Sequence, residues 1–237
     1  MTQLYSTFAN IYHEMYQHIF DYDKEFEFYD AILKKNNSHK ILEIGCGTGL
    51  LAQRFVANGY DYLGLDLHEE MLQIARSEVP SAKFIQGDMC NMQFKEQFQA
   101  VLITGRSLAY IINDKEVLDT FISVSNALVY KGTFVFGVFE APAIFEDMHD
   151  FEQNIEHGSK KIKRINKLKK IISPAETWDW NAKYIIDDGV TITEFEDQTT
   201  LRAFTRKDIN EKLKITGFAV KEIIDEGKTF TVVAEKK

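Results

Sequence analysis

The feature of this chain that most constrains its fold is a short apolar segment that ends in three closely spaced glycines. Lys40–Ile44 has the length and composition of a buried strand, and Gly45-Cys46-Gly47-Thr48-Gly49 follows it directly. A helical pattern through Leu51, Phe55 and Val56 comes next. Glycines let the backbone turn sharply and let a ligand lie against it, and the helix behind them presents unpaired N–H groups. The segment therefore predicts a strand, a ligand-binding loop and a helix in succession.

Strand and helix patterns continue to alternate through residue 139. Strand-like runs are predicted at 60–65, which ends at Asp66, and at 82–86, 100–104 and 133–139, the last after a Lys131-Gly132 turn. Helices are predicted at 68–77 and 114–129, the second with Asn113 as its cap. This alternation is typical of α/β folds with a mostly parallel sheet and helices on both faces.

Two other regions flank and interrupt this pattern. Residues 1–35 carry aromatic and aliphatic side chains at helical spacing. Strand-like runs at 160–172, 177–186 and 190–203, with turns at Ser173-Pro174 and Asp187-Asp188-Gly189, predict an antiparallel insertion. A helix capped by Thr205 and strands at 218–224 and 229–234 complete the chain. We therefore expect a core of residues 1–140 and 204–237 and an antiparallel cap of residues 141–203.

Composition and charge limit the class of protein and the compartment that can be expected. The 237 residues carry a net charge of -8, so a globally basic footprint for nucleic acid is absent. Two cysteines, Cys46 and Cys90, cannot form a disulfide framework and indicate a reducing compartment. The N-terminus is too polar for a signal peptide, and no apolar run is long enough to cross a membrane. We expect a cytoplasmic protein without a membrane partner.

The glycine spacing decides between two nucleotide-binding families. A dinucleotide fingerprint requires G-x-G-x-x-G, whereas this loop has G-x-G-x-G and Leu50 stands at the third glycine position. Glu43 to Gly49 instead resembles the first motif of the class I S-adenosylmethionine-dependent methyltransferases. Asp66 closes the second strand, where this family places the acid that bonds both ribose hydroxyls. Gly87-Asp88-Met89 follows the third strand, where the family places an acid near the adenine amino group.

The resemblance implies a doubly wound seven-stranded, mostly parallel sheet and S-adenosylmethionine as cofactor. In the small-molecule branch of the family an aromatic N-terminal helix lies over the cofactor, and Tyr5 to Tyr12 looks like that element. Glu43 is expected to bind backbone N–H groups or, through water, the cofactor amine. The cofactor-binding residues that the resemblance and the pattern imply are Tyr5, Tyr12, Glu43, Gly45, Cys46, Gly47, Gly49, Asp66, Leu67, Asp88, Met89 and Thr104.

The loop after the fourth strand is expected to lie closest to the transferred methyl group. The overall layout is similar to that of sugar N,N-dimethyltransferases, which have a Gly-His pair in this loop, but this chain has Arg106-Ser107 there. A histidine base is therefore missing at the expected place. Arg106 is predicted either to bind an anionic group of the substrate or to form a salt bridge with Asp114 or Glu116. The candidate catalytic residues are Arg106, Tyr12 and Tyr16.

The predicted cap supplies further candidates. Trp178, Trp180 and Tyr184 share one face of a strand and either line the pocket or form the core beneath the cap. The basic run 160–170 is either a solvated, lysine-protected edge strand or a docking surface for an anionic partner such as RNA. The histidines are scattered and no metal cluster is predicted. The candidate substrate residues are Arg106, Tyr110, His149, Trp178, Trp180 and Arg202.

Together these patterns predict a methyltransferase that acts on a small-molecule acceptor by direct in-line transfer. Two alternatives stay open: an RNA (tRNA) or protein methyltransferase that docks through the 160–170 strand, and a non-catalytic cofactor-binding protein. The sequence identifies neither the acceptor, nor the atom that is methylated, nor the oligomeric state.

Overall fold

A computed structural model describes residues 3–157, 160–172 and 176–237 and contains two β-sheets. The chain starts with a 3-10 turn at Gln3–Tyr5 and two helices, α1 (Ala9–Ile19) and α2 (Tyr22–Lys35). The alternating part comprises β1 (Lys40–Ile44), α3 (Leu50–Ala57), β2 (Asp61–Asp66), α4 (Glu69–Glu78), β3 (Lys83–Gln86), β4 (Phe98–Ile103), α5 (Asp114–Ala127) and β5 (Leu128–Phe139). The remaining elements are α6 (Ala141–Glu146), β6 (Phe151–His157), β7 (Lys160–Lys170), β8 (Thr177–Asp187), β9 (Ile192–Arg202), α7 (Arg206–Ile215), β10 (Phe218–Asp225) and β11 (Thr229–Lys236).

The larger sheet has seven strands in the order β10-β11-β5-β4-β1-β2-β3. The strands from β5 to β3 are parallel, and β11 is antiparallel to both β5 and β10. The second sheet is antiparallel, with the order β6-β7-β8-β9. The predicted fold class, a seven-stranded mostly parallel sheet with an antiparallel β insertion, is confirmed. The strand order reverses between β1 and β4, where doubly wound sheets bind ligands.

The larger sheet is buried on both faces, which explains the continuous apolar runs of its strands. Leu42 of β1 belongs to a cluster with Phe121 and Phe134 on the α5 side. Its neighbour Ile41 belongs to the opposite cluster, which includes Leu33 of α2 and Phe55 of α3. Alternate side chains of one strand thus enter two cores, as the period of two requires. None of the described helices is both long and apolar enough to span a lipid bilayer.

The helix caps agree with the sequence, and several other local features do not. The side chains of Asn113 and Thr205 accept backbone N–H bonds at the starts of α5 and α7, which confirms both predicted caps. The prediction of a turn at Lys131-Gly132 is wrong. Strand β5 begins at Leu128 and continues through a distortion at Lys131, whose φ is 61°. Helix α6 and strand β6 were not predicted. The predicted Ser173-Pro174 turn lies outside the described residues.

The N-terminal segment packs against the antiparallel sheet. Phe8 stacks on Phe195 of β9 with ring centroids 3.7 Å apart. The backbone N–H of Gln3 donates to the Asp197 carboxylate over 2.7 Å, and Lys160 of β7 pairs with Glu14 of α1 at 2.5 Å. Since α1 also contacts α4, the aromatic segment is held between the two sheets, above the carboxyl ends of the parallel strands.

Candidate active site

The loop after β1 requires glycine at its first position. Gly45 has a φ of +73°, and a Cβ there would lie 2.1 Å from Oγ of Ser107. Both the left-handed backbone and the missing space exclude a larger side chain. Gly49, with a φ of +81°, stands at the N-terminal cap of α3. The loop therefore presents bare backbone next to the start of a helix.

Asp66, at the end of β2, is tied to this loop. It is 8% exposed, and its two carboxylate oxygens accept the backbone N–H groups of Gly47 at 2.9 Å and His68 at 3.0 Å. Burial raises the pKa of Asp66, and the N–H donors act against that rise. The carboxylate is thus fixed in place at the wall of a cavity.

The cavity in front of the loop, which we call the glycine-loop cavity, has a volume of about 480 Å³. It runs along the carboxyl ends of β1, β2 and β3, and Gln198, Thr199 and Thr200 of β9 line its other side. The predicted cofactor residues that line it are Tyr5, Tyr12, Gly45, Gly47, Asp66, Leu67, Asp88 and Met89. Asp88 accepts the backbone N–H of Cys90 over 2.9 Å and so fixes the turn at the end of β3.

Glu43, Cys46 and Thr104 line a separate pocket of about 40 Å³ beneath the loop. Glu43 is 1% exposed and accepts hydrogen bonds from the hydroxyls of Tyr62 at 2.5 Å and Thr104 at 2.8 Å. Its donors are therefore hydroxyls rather than the expected backbone N–H groups. Burial raises the pKa of Glu43 to about 7, and the two hydroxyl bonds oppose the rise.

Cys46 and Gly49 serve packing between elements. Burial raises the pKa of the Cys46 thiol, which keeps it protonated. A Cβ on Gly49 would lie 3.2 Å from Cβ of Ala75 on α4 and 3.3 Å from the Phe84 ring. The third glycine therefore allows the close approach of α4 and β3, and it is not among the residues that line the cavity.

An aromatic group stands between the glycine-loop cavity and a second cavity. The Tyr5 and Tyr110 hydroxyls are 2.5 Å apart, Tyr5 meets Tyr12 edge to face at 5.3 Å, and Tyr12 stacks on Tyr16 at 3.9 Å. Burial raises the pKa of both Tyr5 and Tyr12, so these hydroxyls stay neutral. The rings offer electron-rich faces to both cavities.

The second cavity, which we call the acceptor cavity, has a volume of about 350 Å³. Five of the described residues line both cavities: Tyr5, Tyr12, Gly105, Tyr110 and Thr199. Arg106 lines the acceptor cavity, with its guanidinium carbon 5.9 Å from the centroid of the Phe139 ring. Among the described residues Arg106 forms a salt bridge with neither Asp114 nor Glu116, the two acids offered as the alternative. Asp114 pairs instead with Arg202 at 2.7 Å and with Lys212 at 3.1 Å.

Three charged residues that were not predicted from the sequence also line the acceptor cavity: Arg164, Glu25 and Asp197. Arg164 of β7 lies over the rings of Trp180 and Tyr184, at 5.1 and 5.3 Å, and Glu25 comes from α2. A signal for Arg164 was present, since Ile162 and Asn166, two residues away on either side, are buried and place it on the inner face of β7. Glu25 has no such signal, because its position depends on where α2 packs.

Three predicted substrate residues lie away from both cavities. Trp178 is 2% exposed and packs edge to face with Phe139 and Phe145, so it belongs to the core beneath the antiparallel sheet, whereas Trp180 lines the acceptor cavity. Arg202 pairs with Asp114 and lies over the Phe204 ring. His149 is exposed at the surface, where its Nδ1 is 3.0 Å from the carbonyl oxygen of Asp147. Neither Arg202 nor His149 is a lining residue.

This geometry is that of the doubly wound α/β proteins, which bind ligands beyond the carboxyl ends of their strands. Residues 41–132 match the methyltransferase domain family. The chain is 30% identical to the putative methyltransferase YqeM of Bacillus subtilis, over 93% of this chain and 88% of YqeM. It is 32% identical, over 53% of each chain, to the dTDP-3-amino-3,4,6-trideoxy-alpha-D-glucopyranose N,N-dimethyltransferase of Streptomyces venezuelae.

A solved structure supports the same assignment of the fold. S-adenosylmethionine-bound CalS10, an amino pentose methyltransferase from Micromonospora echinaspora, superposes with a TM-score of 0.84 at 19% identity over 96% of this chain and 97% of that one. The chain belongs to the S-adenosylmethionine-dependent methyltransferases, and S-adenosylmethionine is its cofactor. The residues fit such a group: the loop leaves bare backbone at Gly45, Asp66 offers a carboxylate, and no lysine is among the described residues that line either cavity.

Proposed function

We propose that the protein transfers a methyl group directly, in line, from S-adenosylmethionine to a small molecule bound in the acceptor cavity. The observation that carries this proposal is that the two cavities meet at Gly105 and the tyrosines, so a donor in one and an acceptor in the other come together there. Proximity and orientation of the two reactants supply a large part of the rate of such a transfer.

The cofactor residues take their roles from chemistry and position. Asp66 accepts hydrogen bonds from the ribose hydroxyls, and its charge strengthens them. Asp88 and Met89 frame the adenine, and the loop from Gly45 to Gly49 lies against the methionine part with Glu43 supporting it from beneath. The bound cofactor supplies an electrophilic methyl group on a sulfonium cation. Tyr12 and Tyr16 offer aromatic faces that stabilise positive charge and exclude water.

The acceptor side favours a small metabolite. Residues 141–203 act as a cap, and their strands contribute Arg164, Trp180 and Thr199 to a cavity of about 350 Å³, a volume in the range of small-molecule sites. Arg106 binds an anionic group of the acceptor. Two of the similar enzymes act on amino sugars, as their names state, which supports a small acceptor of metabolite size.

The alternative of an RNA or protein substrate docked on the basic strand has weaker support. Lys160 pairs with Glu14, Lys163 pairs with Glu152, and Lys170 lies over the Phe145 ring. Arg164 lines the acceptor cavity. Much of the positive charge of β7 is therefore engaged within the protein, and a tRNA affinity that falls steeply with salt would be needed to favour this alternative.

Transfer of labelled methyl groups tests the proposal. The protein, methyl-labelled S-adenosylmethionine and cell extract are combined, and the extract is split by size into metabolites and macromolecules. We expect label in the metabolite fraction. Label in RNA or protein alone contradicts the proposal, and failure to bind the cofactor in a calorimetric titration favours a non-catalytic protein.

A substitution in the acceptor cavity sharpens the test. Arg106→Ala is expected to reduce turnover with the labelled metabolite and to leave cofactor affinity intact, because Arg106 lines only the acceptor side of the two cavities. Arg76→Ala is a matched control, since Arg76 forms an exposed pair with Glu69 on α4. Unchanged turnover of the Arg106 variant would remove Arg106 from the site.

A further inference from the structure

We propose that Glu25 is the proton acceptor for methyl transfer and that the acceptor is a small amphoteric compound, with an amino group at Glu25 and an anionic group at Arg106 and Arg164. This inference rests on the proposed function, because it names the acceptor of that site. Glu25 would supply the base that is missing from the loop after β4, where this chain has Arg106-Ser107 and no histidine.

Glu25 lines two cavities that both adjoin the glycine-loop cavity. It lines the acceptor cavity and also the small pocket beneath the glycine loop, together with Tyr12 and Gly105. Tyr12 and Gly105 line the glycine-loop cavity as well. Glu25 therefore stands on the side of the acceptor cavity that faces the cofactor loop, which is where the nucleophile must approach the methyl group.

The Glu25 carboxylate differs from Asp23 and Asp30 of the same helix, both of which form ion pairs. Asp23 pairs with Arg54 at 2.6 Å, and Asp30 pairs with Lys34 at 2.7 Å. Glu25 is half-buried, and no hydrogen bond or ion pair to its carboxylate is seen within residues 3–157, 160–172 and 176–237. A half-buried carboxylate without a partner is costly unless a ligand supplies one. A cationic amino group is the chemical complement.

The surroundings of Glu25 suit a proton acceptor. Burial raises its pKa, Arg106 lowers it and Glu226 raises it, and the other titratable groups that face it are Tyr22, Tyr29 and Glu43. A carboxylate whose pKa is moved towards neutral is a better base at physiological pH. The neighbouring rings of Tyr12 and Tyr16 add stabilisation for a cation in the same cavity.

Two arginines, Arg106 and Arg164, bind the anionic group of the acceptor. Both Arg106 and Arg164 line the acceptor cavity and lie against aromatic rings. Nε of Arg164 is buried and has no hydrogen-bond partner among the described residues. Asp197, a further acid on this cavity, is engaged by the backbone N–H groups of Gln3 and Leu4. Guanidinium groups held in this way suit a carboxylate or phosphate, which they bind with paired hydrogen bonds.

The reaction balances with these groups alone. The ammonium form of the acceptor gives one proton to the Glu25 carboxylate and becomes a neutral amine. Its nitrogen lone pair then forms the N–C bond to the methyl group while the C–S bond breaks, and the electron pair of that bond stays on sulfur. The products are a methylated ammonium group and a neutral thioether, and the proton on Glu25 leaves to solvent as the products depart.

The charge of the labelled product tests the acceptor class before its identity is known. The metabolite fraction is labelled as described above, and the labelled compound is run by electrophoresis in strongly acidic and strongly alkaline buffers. We expect movement as a cation in acid and as an anion in alkali, with label that alkali does not release as methanol. A product without both charges, or a methyl ester, overturns this inference. Absence of any labelled metabolite would instead contradict the proposed function.

Substitution of Glu25 tests its role with the same fraction as acceptor. Glu25→Gln is expected to lower kcat about 100-fold and to remove the acidic limb of the pH profile, with little change in KM for the cofactor. Glu27→Gln, on the exposed face of the same helix, is the matched control, and circular dichroism checks that both variants are folded. A raised cofactor KM with unchanged kcat would show that Glu25 binds the cofactor instead and would overturn the proposal.

Discussion

The backbone N–H of Gly47 donates to the Asp66 carboxylate over 2.9 Å, so the loop after β1 and the acid at the end of β2 form one hydrogen-bonded unit. The second oxygen of Asp66 accepts the N–H of His68 at the start of α4. The acid therefore organises the turn on either side of it in addition to facing the glycine-loop cavity. A change at Asp66 should affect both the stability of the fold and the affinity for cofactor.

Asp66→Asn should lower both the stability of the fold and the affinity for the cofactor. The asparagine amide has one oxygen to accept the two N–H groups of Gly47 and His68, so its NH2 group would lie against one of these donors. We therefore expect the free energy of unfolding to fall by about 1–3 kcal/mol. Loss of the charged acceptor should also weaken S-adenosylmethionine binding by roughly 10- to 100-fold. Urea unfolding and calorimetry measure the two effects. Asp61→Asn, at the exposed start of the same strand, should change either quantity little.

Glu43 should make stability depend on pH in a defined direction. Its pKa rises from 4.5 to about 7 on burial, so between these values the native protein binds more protons than the unfolded chain. The contribution of Glu43 to stability is therefore largest below the unfolded pKa and falls as pH rises to about 7, by roughly 3 kcal/mol in all.

Comparison with Glu43→Gln isolates this titration. The glutamine cannot ionise, so the unfolding free energy of the variant minus that of the wild type should increase as pH rises through this window. Subtracting the two curves removes the titrations that the proteins share. A pH-independent difference would mean that Glu43 does not titrate in this range.

Gly45→Ala should be far more damaging than Gly59→Ala. Both glycines have left-handed backbone, with φ of +73° and +84°, so both substitutions carry a backbone cost of about 1–2 kcal/mol. A Cβ at Gly59 would meet no atom of the described residues within 4 Å, whereas at Gly45 it would collide with Ser107. We expect cofactor binding to be lost in the first variant and kept in the second. Equal effects in calorimetry and thermal unfolding would rule out the steric explanation.

Trp178 and Trp180, two residues apart on β8, should give opposite phenotypes. Trp178→Ala removes a buried ring that joins β8 to Phe139 and Phe145, and we expect a loss of about 3–5 kcal/mol in chemical denaturation. Trp180→Ala opens the wall of the acceptor cavity and removes the ring beneath Arg164, so it should reduce acceptor turnover with a smaller loss of stability. If both variants lost only stability, Trp180 would belong to the core as well.

The central features of the fold could be predicted because local pattern and tertiary structure agree there. Lys40–Ile44 is both an apolar run and a strand buried on two faces, and Asn113 and Thr205 are caps by composition and by hydrogen bonding. Gln99 makes a contact that the sequence pattern does not predict. Its side-chain oxygen accepts the N–H groups of His39 and Lys40, so an amide supports the start of β1.

The acceptor site could be predicted only in part. Arg106 and Trp180 line the acceptor cavity, and both lie on a loop or strand whose place in the fold the sequence indicates. The prediction that Arg202 contacts the substrate is not supported. A charged residue at the end of a strand can either face the cavity or pair with a neighbouring acid, and Arg202 pairs with Asp114. Glu25 was overlooked because nothing local separates it from the other charges on α2. Arg164 was overlooked because the alternation that places it on the inner face of β7 lies within a run of basic residues.

The sequence by itself determined the α/β class, the glycine loop and the acids that follow β2 and β3, because strand periodicity, glycine spacing and strand ends are local properties of the chain. Only the tertiary structure decided which charges share the acceptor cavity. Glu25 lies on α2, Arg106 lies in the loop after β4, and Arg164 lies on β7. They line one cavity because the N-terminal helices and the antiparallel sheet pack against the larger, mostly parallel sheet. That packing depends on contacts between residues far apart in the chain, which no local pattern records.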